Sequence, residues 1–210
     1  MGAPSVHDTS RFDVWPEGQD IQAFAHPMIK STRFADADRL RPPLVAACEA
    51  HVAGVPGGLP GSGGAKAYHL ERWGLPAAEA LAARALAFVR RGWHPGAWLI
   101  QSWANVMPSG EYGQPHSHVG ASLGVVYFLD LGTVDPANPH NGRFAFVDPR
   151  LEACCHEEPE RLSRAVMPVA VEGLMFGFPS QLVHFVHLYR GDRPRITVAW
   201  NFGFPASPQP

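Results

Sequence analysis

His116-Ser117-His118 sets two imidazoles at positions i and i+2. On a strand such positions share a face, so both rings could reach one metal ion. Neutral imidazole suits iron, zinc, copper or nickel. The same pair could equally sit in water or pack as ordinary side chains, so its partners decide. The end of the chain offers one. Along Arg195-Ile196-Thr197-Val198-Ala199-Trp200-Asn201-Phe202 the alternation is strict. Ile196, Val198, Trp200 and Phe202 share an apolar face, and Arg195, Thr197, Ala199 and Asn201 share the other. Such a second face usually meets solvent. If it lines a cavity, Arg195 and Thr197 make a carboxylate clamp, a planar fork plus a hydroxyl donor. Just upstream lies His184-Phe185-Val186-His187. Reading Arg190–Arg193 as a four-residue hairpin loop pairs Tyr189 with Pro194 and His184 with Ala199, which puts His184 on the Arg195 face. A one-residue slip selects His187 instead.

The elements that position these groups follow from composition and periodicity. The chain has 210 residues, 46% of them hydrophobic and 17% charged, which suits a folded domain with a sizeable core. Its 21 Gly and 21 Pro argue against a helical bundle and for many short elements joined by turns. Leu44, Cys48 and Val52 recur at helical spacing after Pro42-Pro43, and a second helix is expected from Pro76, with Leu81, Ala85, Phe88 and Val89 buried and Gly92 at its stop. Gly54–Gly64 reads as a mobile loop. From residue 97 the period changes to two, with strands expected at about 97–107, 114–118, 121–131, 142–148, 166–171, 173–178, 181–189 and 194–204. Loops are expected at 132–141 and 149–165, the latter with helical character at Glu157–Arg164. Helices first and short strands later indicate a mostly β (α+β) sandwich or jelly roll rather than a doubly wound sheet.

Several function classes are excluded. A formal charge of −2 gives no basic surface for nucleic acid. No window approaches the length of a membrane span, and the N-terminus lacks a secretory pattern. Three cysteines, Cys48, Cys154 and Cys155, make no disulfide framework and suggest a reducing cytoplasm. Eleven histidines against so few cysteines mean that a metal site would be built from imidazole. His7, His26, His51, His69, His94, His140, His156 and His187 are read as structural or exposed, with His140 and His156 on loops that could cover a cavity mouth. Asp148 precedes Pro149 and is read as a turn residue rather than a ligand.

The ordered set resembles the Fe(II)/2-oxoglutarate-dependent oxygenases, and more closely a bacterial and phage subfamily of them. The matching stretches are Ser102–Asn105 with Gly110, His116-Ser117-His118, Ser122–Tyr127, Phe146–Arg150, Phe178–His184 and Arg195–Asn201. They cover residues 97–202 well and the N-terminal third in outline. The resemblance implies a double-stranded β-helix, a relative of jelly rolls and cupins, with N-terminal helices packed outside: a support region at 1–96 and a catalytic core at 97–204 within one globular domain. It further implies His116, His118 and His184 as catalytic Fe(II) ligands, with His118 standing where most of the superfamily has Asp. Arg195, Thr197, Asn105 and Tyr127 would hold 2-oxoglutarate, and Gln101, Trp103 and Asn201 the substrate. With O2, the implied reaction hydroxylates a small-molecule or peptide substrate and releases succinate and CO2. The competing expectations are a cupin-like three-His dioxygenase that does not use 2-oxoglutarate, and a non-catalytic ligand-binding jelly roll.

Overall fold

The structure is a computed structural model that describes residues 12–23, 28–56, 58–133, 135–147, 168–169 and 171–205. Among these residues the chain forms β1 Gln22–Ala23, β2 Lys30–Arg33, α1 Ala37–Val52, β3 Ala65–Tyr68, α2 Pro76–Gly92, β4 Trp98–Met107, β5 Gly113–His116, β6 Leu123–Asp130, β7 Phe144–Phe146, β8 Leu174–Pro179, β9 His184–Val186 and β10 Arg195–Gly203. A 3-10 turn, Leu70–Arg72, separates β3 from α2. Seven strands form one sheet in the order β1-β2-β8-β6-β10-β4-β3, and three form a second in the order β5-β9-β7. Every pairing is antiparallel. This is the expected jelly roll, a large and a small sheet enclosing a cavity.

β10 is hydrogen-bonded on both edges, to β4 and β6, and only Asn201 along it is half-exposed. Its two faces serve two cores. Ile196, Val198, Trp200 and Phe202 pack outward with Leu40, Leu44 and Cys48 of α1 and Leu81, Ala85, Phe88 and Val89 of α2. Ala199, with Trp103, Val126, Phe128, Phe176 and Phe178 of the large sheet, faces Phe144 and Phe146 of β7. Truncating one such fully buried aromatic, Phe88 for example, costs about 3–5 kcal/mol.

α2 matches its sequence signals, with Pro76 at the first position, Glu79 in the first turn and Arg90 and Arg91 in the last. α1 begins four residues earlier than the prolines suggested. Pro42 and Pro43 lie inside it and forgo two intrahelical hydrogen bonds. The earlier start buries Ala37 and Leu40 on the stripe of Leu44 and Cys48. Strands β2 and β3 are additions that four-residue segments without alternating hydrophobics do not announce. The described residues of 54–64 are irregular as expected, but they are tied to β5 and the residue before it. Gln114 N donates to Gly61 O at 2.9 Å, Gly63 N donates to Tyr112 O at 3.0 Å, and Ser62 bridges Gly113. Gly64 holds φ +87°, and a Cβ there would lie 2.2 Å from Val106 O, so only glycine lets this segment meet β4 so closely.

The sequence-derived register of the final hairpin is corrected. β9 pairs with β5 and β7 in the small sheet, and β10 pairs with β4 and β6 in the large one, so His184 does not oppose Ala199. The chain leaves one sheet for the other across 187–194, which a count of loop residues cannot reveal. The strand expected at 166–171 is absent at 168, 169 and 171, and its other positions lie outside the described residues. So do Glu157–Arg164, Asp148, Cys154, Cys155, His7, His26 and His156. Among the described residues no helix is long and apolar enough to cross a membrane.

The helices are anchored by Arg84 of α2, whose side chain is fully buried. Its guanidinium donates to Asp36 Oδ1 and Oδ2 at 2.6 and 2.8 Å and to Asp13 O at 2.9 and 2.7 Å. These hydrogen bonds hold the Asp36 carboxyl below the usual carboxylate range, against the opposing effect of its partial burial. A carboxyl with a depressed folded pKa adds stability above its unfolded pKa and loses it as pH falls through the folded value. Arg84→Leu, which leaves Asp36 unpaired, is expected to cost about 3 kcal/mol in chemical denaturation near neutrality. The difference between variant and wild type should shrink in acid, as Asp36 becomes protonated in both.

Candidate active site

The three histidines meet where the small sheet closes over the large one. His116 ends β5, opposite His184 at the start of β9. His118 lies beyond the strand end, so the two rings of the His116-x-His118 pair are not set by strand alternation alone. A hydrogen bond from His118 N to Ser180 O, 3.0 Å, fixes its backbone. Ring centroids are 4.4 Å apart for His116 and His184, 5.0 Å for His118 and His184 and 5.3 Å for His116 and His118. One ring nitrogen from each can be chosen so that all three lie within 4.8 Å of one another. Among the described residues no carboxylate joins them.

Each ring is also oriented from behind. His116 Nδ1 meets Gln114 O at 2.7 Å, and His184 Nδ1 meets Leu182 O at 2.9 Å, both carbonyls two residues upstream. His118 Nδ1 meets Asn201 Oδ1. Facing carbonyl oxygens, all three Nδ1 atoms carry the proton and donate it, which leaves the Nε2 lone pairs free for a metal. Burial favours the neutral, ligating form. His184 is 3% exposed, stacked on Phe144 at 5.2 Å and edge-on to Phe178 at 4.8 Å. That burial pushes its pKa down to about 3, against the raising effect of the Leu182 bond. His118 is lowered too, by burial first, with the Asn201 bond opposing.

From these rings a narrow cleft extends along the inner face of β10 past Ala199 and Thr197 to Arg195. Trp103, Val126, Phe144 and Val186 give it apolar walls. Arg195 is 2% exposed. Its guanidinium lies 5.6 Å from the Phe128 ring centroid, and among the described residues no carboxylate pairs with it. Burial lowers its pKa to about 10, with Tyr189 opposing, which still leaves it charged at neutral pH. Gly142, at φ +61°, makes room for its stem, because a Cβ there would stand 3.0 Å from Arg195 Cδ. Asn105 Nδ2 donates to Thr197 Oγ1 at 3.4 Å, so the Thr197 hydroxyl proton is free to point into the cleft.

Of the residues expected from sequence, His116, His118, His184, Arg195, Thr197, Asn105 and Trp103 line this one cleft. Asn201 reaches it through His118. Two do not belong. Tyr127 is 1% exposed in the outer core, on the face of β6 opposite Val126 and Phe128, and burial pushes its phenol pKa up. Gln101 is exposed beside Asn201 and does not line the cleft. The reason for Tyr127 is parity, since β6 is buried on both faces and its hydrophobic run shows no alternation. His140 is exposed, with its ring 5.2 Å from that of His187, away from the cleft. Sequence reasoning missed Ser62, Gly63, Lys66, Met107, Phe144 and Val186. The first three come from the N-terminal third, where short irregular segments carry no signal that could have placed them.

Residues 101–201 match the family described as "Putative 2OG-Fe(II) oxygenase". No curated protein matches the sequence. Several solved structures share its fold. A prolyl-4-hydroxylase from Pseudomonas putida is 17% identical, with a TM-score of 0.52, over 85% of this chain and 89% of that one. The viral collagen prolyl hydroxylase of Paramecium Bursaria Chlorella virus-1, solved as a 2OG complex, is 8% identical, with a TM-score of 0.56, over 84% and 97%. HygX from Streptomyces hygroscopicus, solved with nickel and 2-oxoglutarate bound, is 15% identical, with a TM-score of 0.57, over 84% and 82%. At these identities the likeness is one of fold. The family match spans the segment that carries His116, His118, His184 and Arg195. Over that segment this chain is similar to the Fe(II)- and 2-oxoglutarate-dependent oxygenases.

Proposed function

We propose that the protein oxidises an organic substrate by hydroxylation, with Fe(II) held by His116, His118 and His184 and 2-oxoglutarate held at its far end by Arg195. The observation that carries this reading is the buried Arg195 guanidinium, which has no counter-charge among the described residues and lines the same cleft as three preorganised imidazoles. When bound, the metal supplies O2 activation coupled to oxidative decarboxylation of 2-oxoglutarate to succinate and CO2. The chain's own contribution is placement. The three neutral Nε2 lone pairs would hold the metal, and three such donors alone would not fill its coordination sphere. Arg195 forks onto the distal carboxylate, and the Thr197 hydroxyl donates to it. Trp103, Val126 and Phe144 keep water from the reacting end. The soluble reducing interior suggested by the cysteine count is part of the same proposal, because it suits a ferrous enzyme.

Two measurements test this. Arg195→Leu leaves the diacid's distal carboxylate unpaired, so calorimetry on the metal-loaded protein should show 2-oxoglutarate affinity falling about a hundredfold or more, with Arg195→Lys rescuing only in part. Unchanged affinity in Arg195→Leu would favour a three-His dioxygenase that needs no 2-oxoglutarate. Separately, Asn201→Leu removes the acceptor behind His118, and metal titration should show about 10–100-fold weaker Fe(II) binding. His184→Ala should abolish tight binding, His118→Asp should retain it, and His118→Leu should not. Full iron occupancy in His184→Ala would refute the assignment of the ligands.

A further inference from the structure

Ser62 and Lys66 form a wall of the cleft that the roles above leave unused. Lys66 is half-buried on the edge strand β3, opposite Asn105, and Asn105 in turn opposes Thr197 on β10. At about 4.8 Å per strand, Lys66 is displaced roughly 10 Å sideways from the line on which Arg195 and Thr197 hold a diacid. Among the described residues its ammonium has no hydrogen bond and no acid partner. Ser62 Oγ is packed against Gly58 and closed off from the cleft. An unpaired, partly desolvated cation is costly, and an anionic acceptor in the cleft would relieve that cost.

Charge balance points the same way. The residues lining the cleft include no Asp or Glu. A divalent metal on three neutral imidazoles and a dianionic co-substrate cancel, so Arg195 and Lys66 leave the loaded cleft positive. A triad that included a carboxylate would remove part of that excess, and this one does not. Desolvation lowers the pKa of Lys66, in keeping with a charge that no protein group compensates.

We propose that Lys66 receives a carboxylate of the primary substrate, so that the substrate is an organic acid whose apolar body lies against Trp103, Val126 and Val186. One ammonium suits a carboxylate, whereas a phosphate dianion calls for more donors. The inference rests on the 2-oxoglutarate reading for the charge balance and on Lys66 itself for the location.

The test uses protein loaded with Ni(II) and 2-oxoglutarate, and calorimetric titration with two acid–amide pairs, hexanoate with hexanamide and 4-phenylbutyrate with 4-phenylbutanamide. At least one acid should bind about tenfold or more tighter than its amide. Lys66→Met should erase the preference, and Lys66→Arg should keep it. The affinity of Lys66→Met for 2-oxoglutarate should stay within about twofold of wild type, because its site lies two strands away. Equal binding of acid and amide, failure of both acids to bind, or a preference that survives Lys66→Met overturns the proposal. So does a tenfold loss of 2-oxoglutarate affinity in Lys66→Met, which would assign Lys66 to the co-substrate. If 2-oxoglutarate does not bind wild-type Ni(II) protein while the acids still bind through Lys66, the co-substrate reading fails and the acid subsite stands.

Discussion

A guanidinium held 2% exposed without a carboxylate is the constraint around which the interior is arranged. Desolvating an ion costs several kcal/mol even after local relaxation, and here no protein anion among the described residues offsets it. The Phe128 face and the space left by Gly142 accommodate the side chain without neutralising it. The folded protein therefore carries a cost that an anionic ligand relieves. By mass action, whatever binds there stabilises the fold in proportion to the logarithm of its concentration. β10 makes this tolerable. It is bonded on both edges, and its outer face is locked to α1 and α2 through Ile196, Val198, Trp200 and Phe202. The inner face can then hold Arg195 and Thr197 in fixed positions.

The other end of the cleft answers with groups kept uncharged. Buried His184 and partly buried His118 are biased toward the neutral form, and each ring presents Nδ1 to a carbonyl oxygen. Formal charge in the cleft thus comes from Arg195 and Lys66, and in the proposed loaded state from the metal and its ligands. Imidazole donors at one end and a guanidinium at the other suit a small dianion that chelates at one end and pairs at the other.

How far this was legible in the sequence depends on periodicity. The strict alternation of Arg195–Phe202 placed both faces of β10 correctly, and the 3.6 spacing of α2 gave its buried stripe. His184 was placed in the cleft by a hairpin count that the sheets contradict, since β9 and β10 do not pair. The right face was reached because the small sheet folds back over the large one, a long-range fact outside any local count. Tyr127, placed beside 2-oxoglutarate by the resemblance alone, lies in the outer core, and β6, apolar on both faces, has no parity that could have shown this. Ser62 and Lys66 were invisible for a different reason. Their segment is glycine-rich and short, and its position is set by Gly64 meeting β4 and by pairing with β5, not by any pattern of its own.

The most direct test of the central claim is the visible absorption of anaerobic Fe(II)-loaded protein on adding 2-oxoglutarate. Chelation of a ferrous ion by an α-keto acid creates a metal-to-ligand charge-transfer band that neither component shows alone. The account predicts that band in wild-type protein, saturating at one 2-oxoglutarate per chain, and its loss in His184→Ala. Fe(II) bound to all three histidines with no new band at saturating 2-oxoglutarate would contradict it.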